Sequence, residues 1–259
     1  MAPSSHNLTV GDAQIAINTV HGRAPGLFWL GGYRSDMSGT KALALEAMAI
    51  ENGFQSTRFD YSGHGESSGD FLAGTISKWL REAMAVFQQA AEYGPQILIG
   101  SSMGAWVALR MAQELNSGAQ DDPIRAMLLL APAPDFTVEL MEPELTPAQK
   151  DEMQRKGYFE EPTPYGPEPN RFTKALFDDG RQNRVMTGPI DTHCPVHILQ
   201  GKADPDVPWQ HAQRLFELLS KDDASITYVN DGDHRLSRDQ DLKLIAQTAL
   251  SLLKQSQKA

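Results

Sequence analysis

One cysteine, Cys194, stands in a sequence of 259 residues, so no disulfide can close within the chain and packing must hold it together. Such usage suits a reducing compartment, and Cys194 reads as a small core residue. Positive charge is also scarce. There are 23 Lys and Arg against 33 Asp and Glu, a formal net charge of −10, and no basic cluster. This disfavours an electrostatic nucleic-acid binder and equally a protein drawn to an anionic membrane surface. No apolar run is long enough to span a bilayer, so no stable membrane insertion is expected. Met1–His6 lacks both a basic start followed by an apolar run and the arginines of a transit peptide, and the expected location is cytoplasmic. Internal repeats and low-complexity tracts are missing too. What is present is 41% hydrophobic residues, enough for one large core, which excludes global disorder. A single domain over residues 1–259 is expected, carrying one insertion.

Short β-rich apolar runs alternate with longer helical patterns, the signature of a mostly parallel sheet covered by helices. Strands are predicted at Gln14–Val20, Gly26–Leu30, Gln55–Phe59, Gln96–Ile99, Ala126–Leu130, Val196–Gln200 and Ser225–Val229. Helices are predicted at Thr40–Glu51, Ile76–Glu92, Met103–Leu115, Gln210–Leu219 and Leu236–Leu253, with Gly53 as a C-terminal stop for the first. The rhythm breaks between Glu139 and Pro189, where seven of the sixteen prolines lie. Pro162, Pro164, Pro167 and Pro169 are spaced like an extended segment. Thr146-Pro147-Ala148-Gln149 forms a capping box that predicts a short helix ending at Lys156 before Gly157. Met141, Leu145, Met153, Tyr158, Phe159, Tyr165, Phe172, Leu176 and Phe177 are too many apolar side chains for a solvated linker. The segment at about 139–189 is therefore expected to fold over the main sheet as a cap.

The pattern Gly-x-Ser-x-Gly occurs twice, around Ser67 and Ser102, and context decides between them. A nucleophile elbow needs a strand before the serine and a helix after it, so that the turn lifts the hydroxyl above the sheet edge. Ser102 follows the strand Gln96–Ile99 and precedes an apolar helical start, whereas Ser67 lies among polar loop residues and reads as a turn residue. A serine hydroxyl needs a base, itself oriented by a carboxylate. Among seven histidines, His234 sits just past the last strand, at the carboxyl end of the sheet. His6, His21, His64, His193, His197 and His211 read as structural or exposed. His193, Cys194 and His197 lack an evident fourth ligand, so no metal site is expected. Asp204 is the first choice for the carboxylate, because Pro205 stiffens its loop; Asp206 and Asp135 are the alternatives. The developing oxyanion needs two N–H donors. The backbone of Met103, at a helix start, is one, and the turn Gly31-Gly32-Tyr33 offers the other through the Tyr33 backbone.

These residues resemble the α/β-hydrolase-domain proteins, a family that includes a mitochondrial acyl-protein thioesterase active also on acyl glucuronides. The resemblance runs through Gly31-Gly32-Tyr33, Gly39-Thr40-Lys41-Ala42, Arg58-Phe59-Asp60-Tyr61-Ser62-Gly63, Gly94-Pro95-Gln96-Ile97-Leu98, the Ser102 elbow, Val207-Pro208-Trp209 and Asp233-His234-Arg235. The chain order Ser102, Asp204, His234 is also the order of an α/β-hydrolase. The resemblance implies the α/β-hydrolase fold, with Ser102, Asp204 and His234 as nucleophile, acid and base and the Tyr33 and Met103 backbones as oxyanion donors. Arg34 and Asp36 beside that turn depart from the family pattern, and the Glu139–Pro189 stretch is the least similar part.

The expected activity is hydrolysis of carboxylic esters or thioesters, on a small-molecule acyl ester or an acylated thiol, without a cofactor. A carbon–carbon bond hydrolase with the same triad, or a non-catalytic ligand-binding protein of this fold, are the alternatives.

Overall fold

The computed structural model describes residues 3–163 and 166–257. Pro164 and Tyr165, counted above in the extended segment and among the apolar side chains, lie outside them. Ten strands and seven α-helices are found among the described residues: β1 (Ser4–Val10), β2 (Ala13–Val20), β3 (Arg23–Leu30), α1 (Thr40–Asn52), β4 (Phe54–Phe59), α2 (Ile76–Ala91), β5 (Gln96–Ser101), α3 (Met103–Leu115), β6 (Ile124–Leu130), α4 (Pro147–Lys156), β7 (Tyr158–Glu161), β8 (Asn170–Thr173), α5 (Lys174–Gln182), β9 (Val196–Gly201), α6 (Trp209–Leu218), β10 (Ala224–Val229) and α7 (Asp239–Ser256).

Eight strands form one sheet in the order β1-β2-β4-β3-β5-β6-β9-β10. From β4 to β10 every neighbouring pair is parallel, while β1 and β2 add an antiparallel edge. The mostly parallel sheet read from the alternation of strands and helices is thereby borne out. Side chains leave a strand on alternate faces, and β6 sorts accordingly. Met127 and Leu129 join α2, α3 and α6 on one face, and Ala126, Leu128 and Leu130 join α1 and α7 on the other. No helix among the described residues is long and apolar enough to cross a membrane.

The seven predicted strands all form, and the capping box at Thr146 opens α4, which ends at Gly157 in the left-handed region. Three features differ from expectation. Strand β1 is polar and largely exposed, so it carries no apolar alternation; it forms because a tight turn at Gly11 folds it onto β2. Helix α7 starts at Asp239 rather than Leu236, because Leu236 takes φ 46° and the Asp241 carboxylate caps the helix start, accepting from the Arg238 N–H and guanidinium. Pro162, Pro167 and Pro169 do not make a free-standing extended segment: they belong to the connection of a β7–β8 hairpin, followed by α5. This excursion between β6 and β9 buries Phe159, Phe172, Leu176 and Phe177 in the same core as α2 and α3.

Cys194 is buried against Thr192, and burial pushes its thiol up to about 12, which keeps it protonated and inert. A buried ion pair fastens α1 to the sheet: Arg58 donates from Nε to Glu46 Oε2 at 2.7 Å and from a terminal nitrogen to Glu46 Oε1 at 3.1 Å. Removing one member strands the other charge away from water. Glu46→Ala is therefore expected to lower stability by about 3–5 kcal/mol in denaturant titration; a loss below about 1 kcal/mol would show that water reaches Arg58.

Candidate active site

Ser102 occupies the junction between β5 and α3, with φ 54° and ψ −118°, a conformation that residues with a side chain rarely adopt. The surrounding backbone holds it there. Its N–H donates to the Leu130 carbonyl at 2.9 Å, and its carbonyl accepts from Ala105 and Ala133. The flanking glycines are needed for close approach: a Cβ on Gly100 would lie 2.6 Å from the Ala105 backbone, and one on Gly104 would lie 2.1 Å from the Leu30 carbonyl oxygen. The second Gly-x-Ser-x-Gly has a different role. The Ser67 hydroxyl donates to the Asp60 carbonyl at 2.6 Å and accepts from Ala16 N–H at 2.8 Å, sealing a turn against β2.

The loops after β9 and β10 bring two more side chains to this serine. His234 Nε2 lies 3.1 Å from Ser102 Oγ, and its Nδ1 lies 2.8 Å from Asp204 Oδ2. A carboxylate only accepts, so Nδ1 carries the proton and the Nε2 lone pair faces the hydroxyl. The Asp204 side chain is fully buried and each of its oxygens has two donors. Oδ1 accepts from the Asp206 and Val207 N–H groups, each at 2.9 Å, and Oδ2 accepts from Gln200 Nε2 as well as His234. Gln200, a buried amide near the end of β9 after Ile198 and Leu199, was not singled out in the sequence, although a buried amide near a strand terminus is a signal.

Asp204, Asp206 and His234 could present three atoms within 4.8 Å of one another to a cation. The lone pairs of Asp204 are already met by N–H donors, so the set fits the orientation of an imidazole better than ligation. Asp135, the other alternative for the carboxylate, lies elsewhere in the network. It accepts from the Val185 and Met186 N–H groups at 2.8–3.1 Å, pinning the end of the β6–β9 excursion to its beginning. Burial raises its pKa against those backbone bonds. The remaining histidines have structural partners: His197 bonds Ser225 and Thr227 on β10, His211 bonds the Pro134 carbonyl, and His193 pairs with Asp191.

The turn after β3 comes against the serine, since a Cβ on Gly32 would lie 3.3 Å from Ser102 Cβ. Met103 is the first residue of α3, so its N–H has no acceptor within the helix. The Tyr33 ring stacks on Phe172 at 5.0 Å, and its hydroxyl donates to the Arg171 carbonyl. Arg34 reaches across to the Pro169 carbonyl at 2.6 Å. The turn is thus tied to the β7–β8 hairpin. Between them opens a cleft of about 900 Å3 with Ser102 and His234 in its wall. Phe136, Leu140, Met141, Leu145, Phe159 and Phe172 line one part, and Lys41, Asp206 and Arg235 another. Burial, with Arg235 nearby, lowers the Lys41 pKa to about 8, and its ammonium donates to the Arg235 carbonyl beside His234.

The alpha/beta hydrolase family pattern matches residues 20–248. The chain is similar to palmitoyl-protein thioesterase ABHD10, mitochondrial, of Mus musculus, with 32% identity over 240 residues, 92% of this chain and 78% of that protein. The solved structure of alpha/beta hydrolase domain-containing protein 10 from mouse superposes with a TM-score of 0.85 at 30% identity, covering 97% of this chain and 99% of that one. A structure from Agrobacterium vitis S4, described no further than as a hydrolase, matches with a TM-score of 0.93 and 51% identity over 98% of this chain and 100% of its own. With an eight-stranded, mostly parallel sheet and a serine at the turn from its central strand into a helix, the chain belongs to the alpha/beta hydrolase family.

Proposed function

We propose that this protein is a serine hydrolase of carboxylic ester or thioester bonds in acyl substrates. The observation that carries the reading is the continuous hydrogen-bonded relay from Ser102 Oγ to His234 Nε2 at 3.1 Å and from His234 Nδ1 to Asp204 at 2.8 Å, opening into the cleft. Ser102 Oγ attacks the acyl carbon while its proton passes to His234 Nε2. Asp204 keeps the imidazole in the accepting tautomer and stabilises the imidazolium. The tetrahedral oxyanion is met by the Met103 and Tyr33 N–H groups, the first aided by the positive end of α3. As the carbon–oxygen or carbon–sulfur bond breaks, His234 returns the proton to the leaving alcohol or thiol. Water then attacks the acyl-enzyme through the same base, releasing the carboxylic acid and restoring Ser102.

The apolar residues of the excursion are suited to the acyl chain, and the relation to palmitoyl-protein thioesterases supports thioesters among the substrates. The test is a series of p-nitrophenyl esters and matching thioesters from acetyl to palmitoyl, alongside a fluorophosphonate label. Label on Ser102 and a kcat/KM that depends on chain length are expected. Labelling without turnover of any ester or thioester would redirect the reading to carbon–carbon bond hydrolysis. Failure of the folded protein to label would point to a ligand-binding protein.

A further inference from the structure

The Gly32–Ser35 turn has a conformation that its own sequence does not favour. The Ser35 N–H donates to the Gly32 carbonyl at 3.1 Å, closing a four-residue turn, and Arg34 at its third position takes φ 57°. Positive φ there is the mark of a turn whose central peptide is flipped relative to the commonest type, a site where glycine is usual. Something outside the turn must hold the flip, and the Tyr33–Arg34 peptide has one such partner: Arg34 N–H donates to His64 Nε2 at 3.3 Å.

His64 is itself fixed. It is 4% exposed, boxed edge-on by Tyr61, Phe71 and Trp79, and its Nδ1 lies 3.2 Å from the Ser62 carbonyl. A carbonyl can only accept, so Nδ1 bears the hydrogen and Nε2 presents its lone pair to Arg34. Burial lowers the His64 pKa to about 4, which keeps the ring neutral at pH 7. The turn's internal bond engages the Gly32 carbonyl. In a trans peptide the Tyr33 N–H points the opposite way, outside the turn's own hydrogen bonding.

Resting on the hydrolase reading above, we infer that His64 is a positioning residue. By accepting the Arg34 N–H it holds the central peptide of the turn, and so fixes the Tyr33 N–H as an oxyanion donor beside Ser102. It touches no substrate and acts through the turn. The loop Tyr61-Ser62-Gly63-His64-Gly65 thereby has a task beyond closing β4.

The two ring nitrogens can be tested separately. His64→Gln places an amide oxygen near the Nε2 position and can still accept from Arg34, whereas His64→Asn keeps a group near Nδ1 for Ser62 but does not reach Arg34. On the ester that the wild type hydrolyses best, His64→Asn is expected to lose about tenfold or more in kcat with KM within about twofold. Its affinity for a trifluoromethyl ketone analogue, which presents an oxyanion, should fall by the same factor, and His64→Gln should keep most of both. Thermal melting of each variant monitors folding. Unchanged kcat in His64→Asn, or equal losses in both variants, would overturn the inference while leaving the hydrolase reading intact. A wild type that hydrolyses no acyl ester or thioester would overturn both.

Discussion

Replacing Ser102 with alanine is expected to lower kcat by about four orders of magnitude or more, to the level set by the remaining donors and binding contacts. Neither the serine of the second Gly-x-Ser-x-Gly nor the cysteine can take over its part. Ser67 has its hydroxyl engaged with the Asp60 carbonyl and the Ala16 N–H, and Cys194 is buried and protonated. The fold should survive the change. The hydrogen bonds that hold residue 102 at positive φ run from its own N–H to Leu130 and to its own carbonyl from Ala105 and Ala133, and alanine keeps all three. Steady-state kinetics with a melting curve of the same preparation checks both halves. Residual turnover within about tenfold of wild type would remove Ser102 as nucleophile.

Asp204→Asn should cost kcat about 10^3–10^4-fold, through the tautomer of a residue that is left in place. Both Asp204 oxygens accept from N–H groups on every side, and an amide can supply only one oxygen. If the Asn oxygen faces Asp206 and Val207, its NH2 faces His234 Nδ1, which must then be the acceptor. Nε2 becomes the protonated nitrogen, turned towards Ser102 and unable to take its proton. The NH2 also meets the donating Gln200 side chain, so about 1–3 kcal/mol of stability should be lost together with activity. Losing stability with kcat unchanged would mean that Asp204 only braces its loop.

Much of the architecture could be read from the residues alone, because buried parallel strands are written as short apolar runs and each was bounded by turn chemistry. Ser102, Asp204 and His234 were legible as candidates for a related reason: each lies in the segment that follows a strand, and the carboxyl ends of parallel strands meet at one rim. Strand β1 was hidden because an exposed edge strand needs no apolar face. The β7–β8 hairpin was masked by its prolines, which sit in the connection rather than in the strands. The tasks of Asp135 and His64 could not be read at all. Each bonds the backbone N–H of a residue distant in sequence, and backbone donors carry no residue-specific signal.

The bond from Asp135 to the backbone of Val185 and Met186 has an evolutionary consequence. With its two feet pinned together at the sheet, the excursion is closed on itself and is attached to the rest of the chain through Phe159, Phe172, Leu176 and Phe177 in the core and through the Tyr33–Arg34 turn. Each doubling of a closed loop adds only about 0.6 kcal/mol of closure entropy, so insertions and deletions are inexpensive in those connections of the excursion that make none of these contacts. Ser102 precedes the pinned segment, whereas Asp204 and His234 follow it, so none of the three lies within the stretch that is remodelled. Lineages can therefore exchange part of the cleft wall by drift in one contiguous stretch, leaving these three residues unaltered. Divergence of substrate preference is then expected to accumulate between residues 136 and 184 faster than anywhere else in the fold.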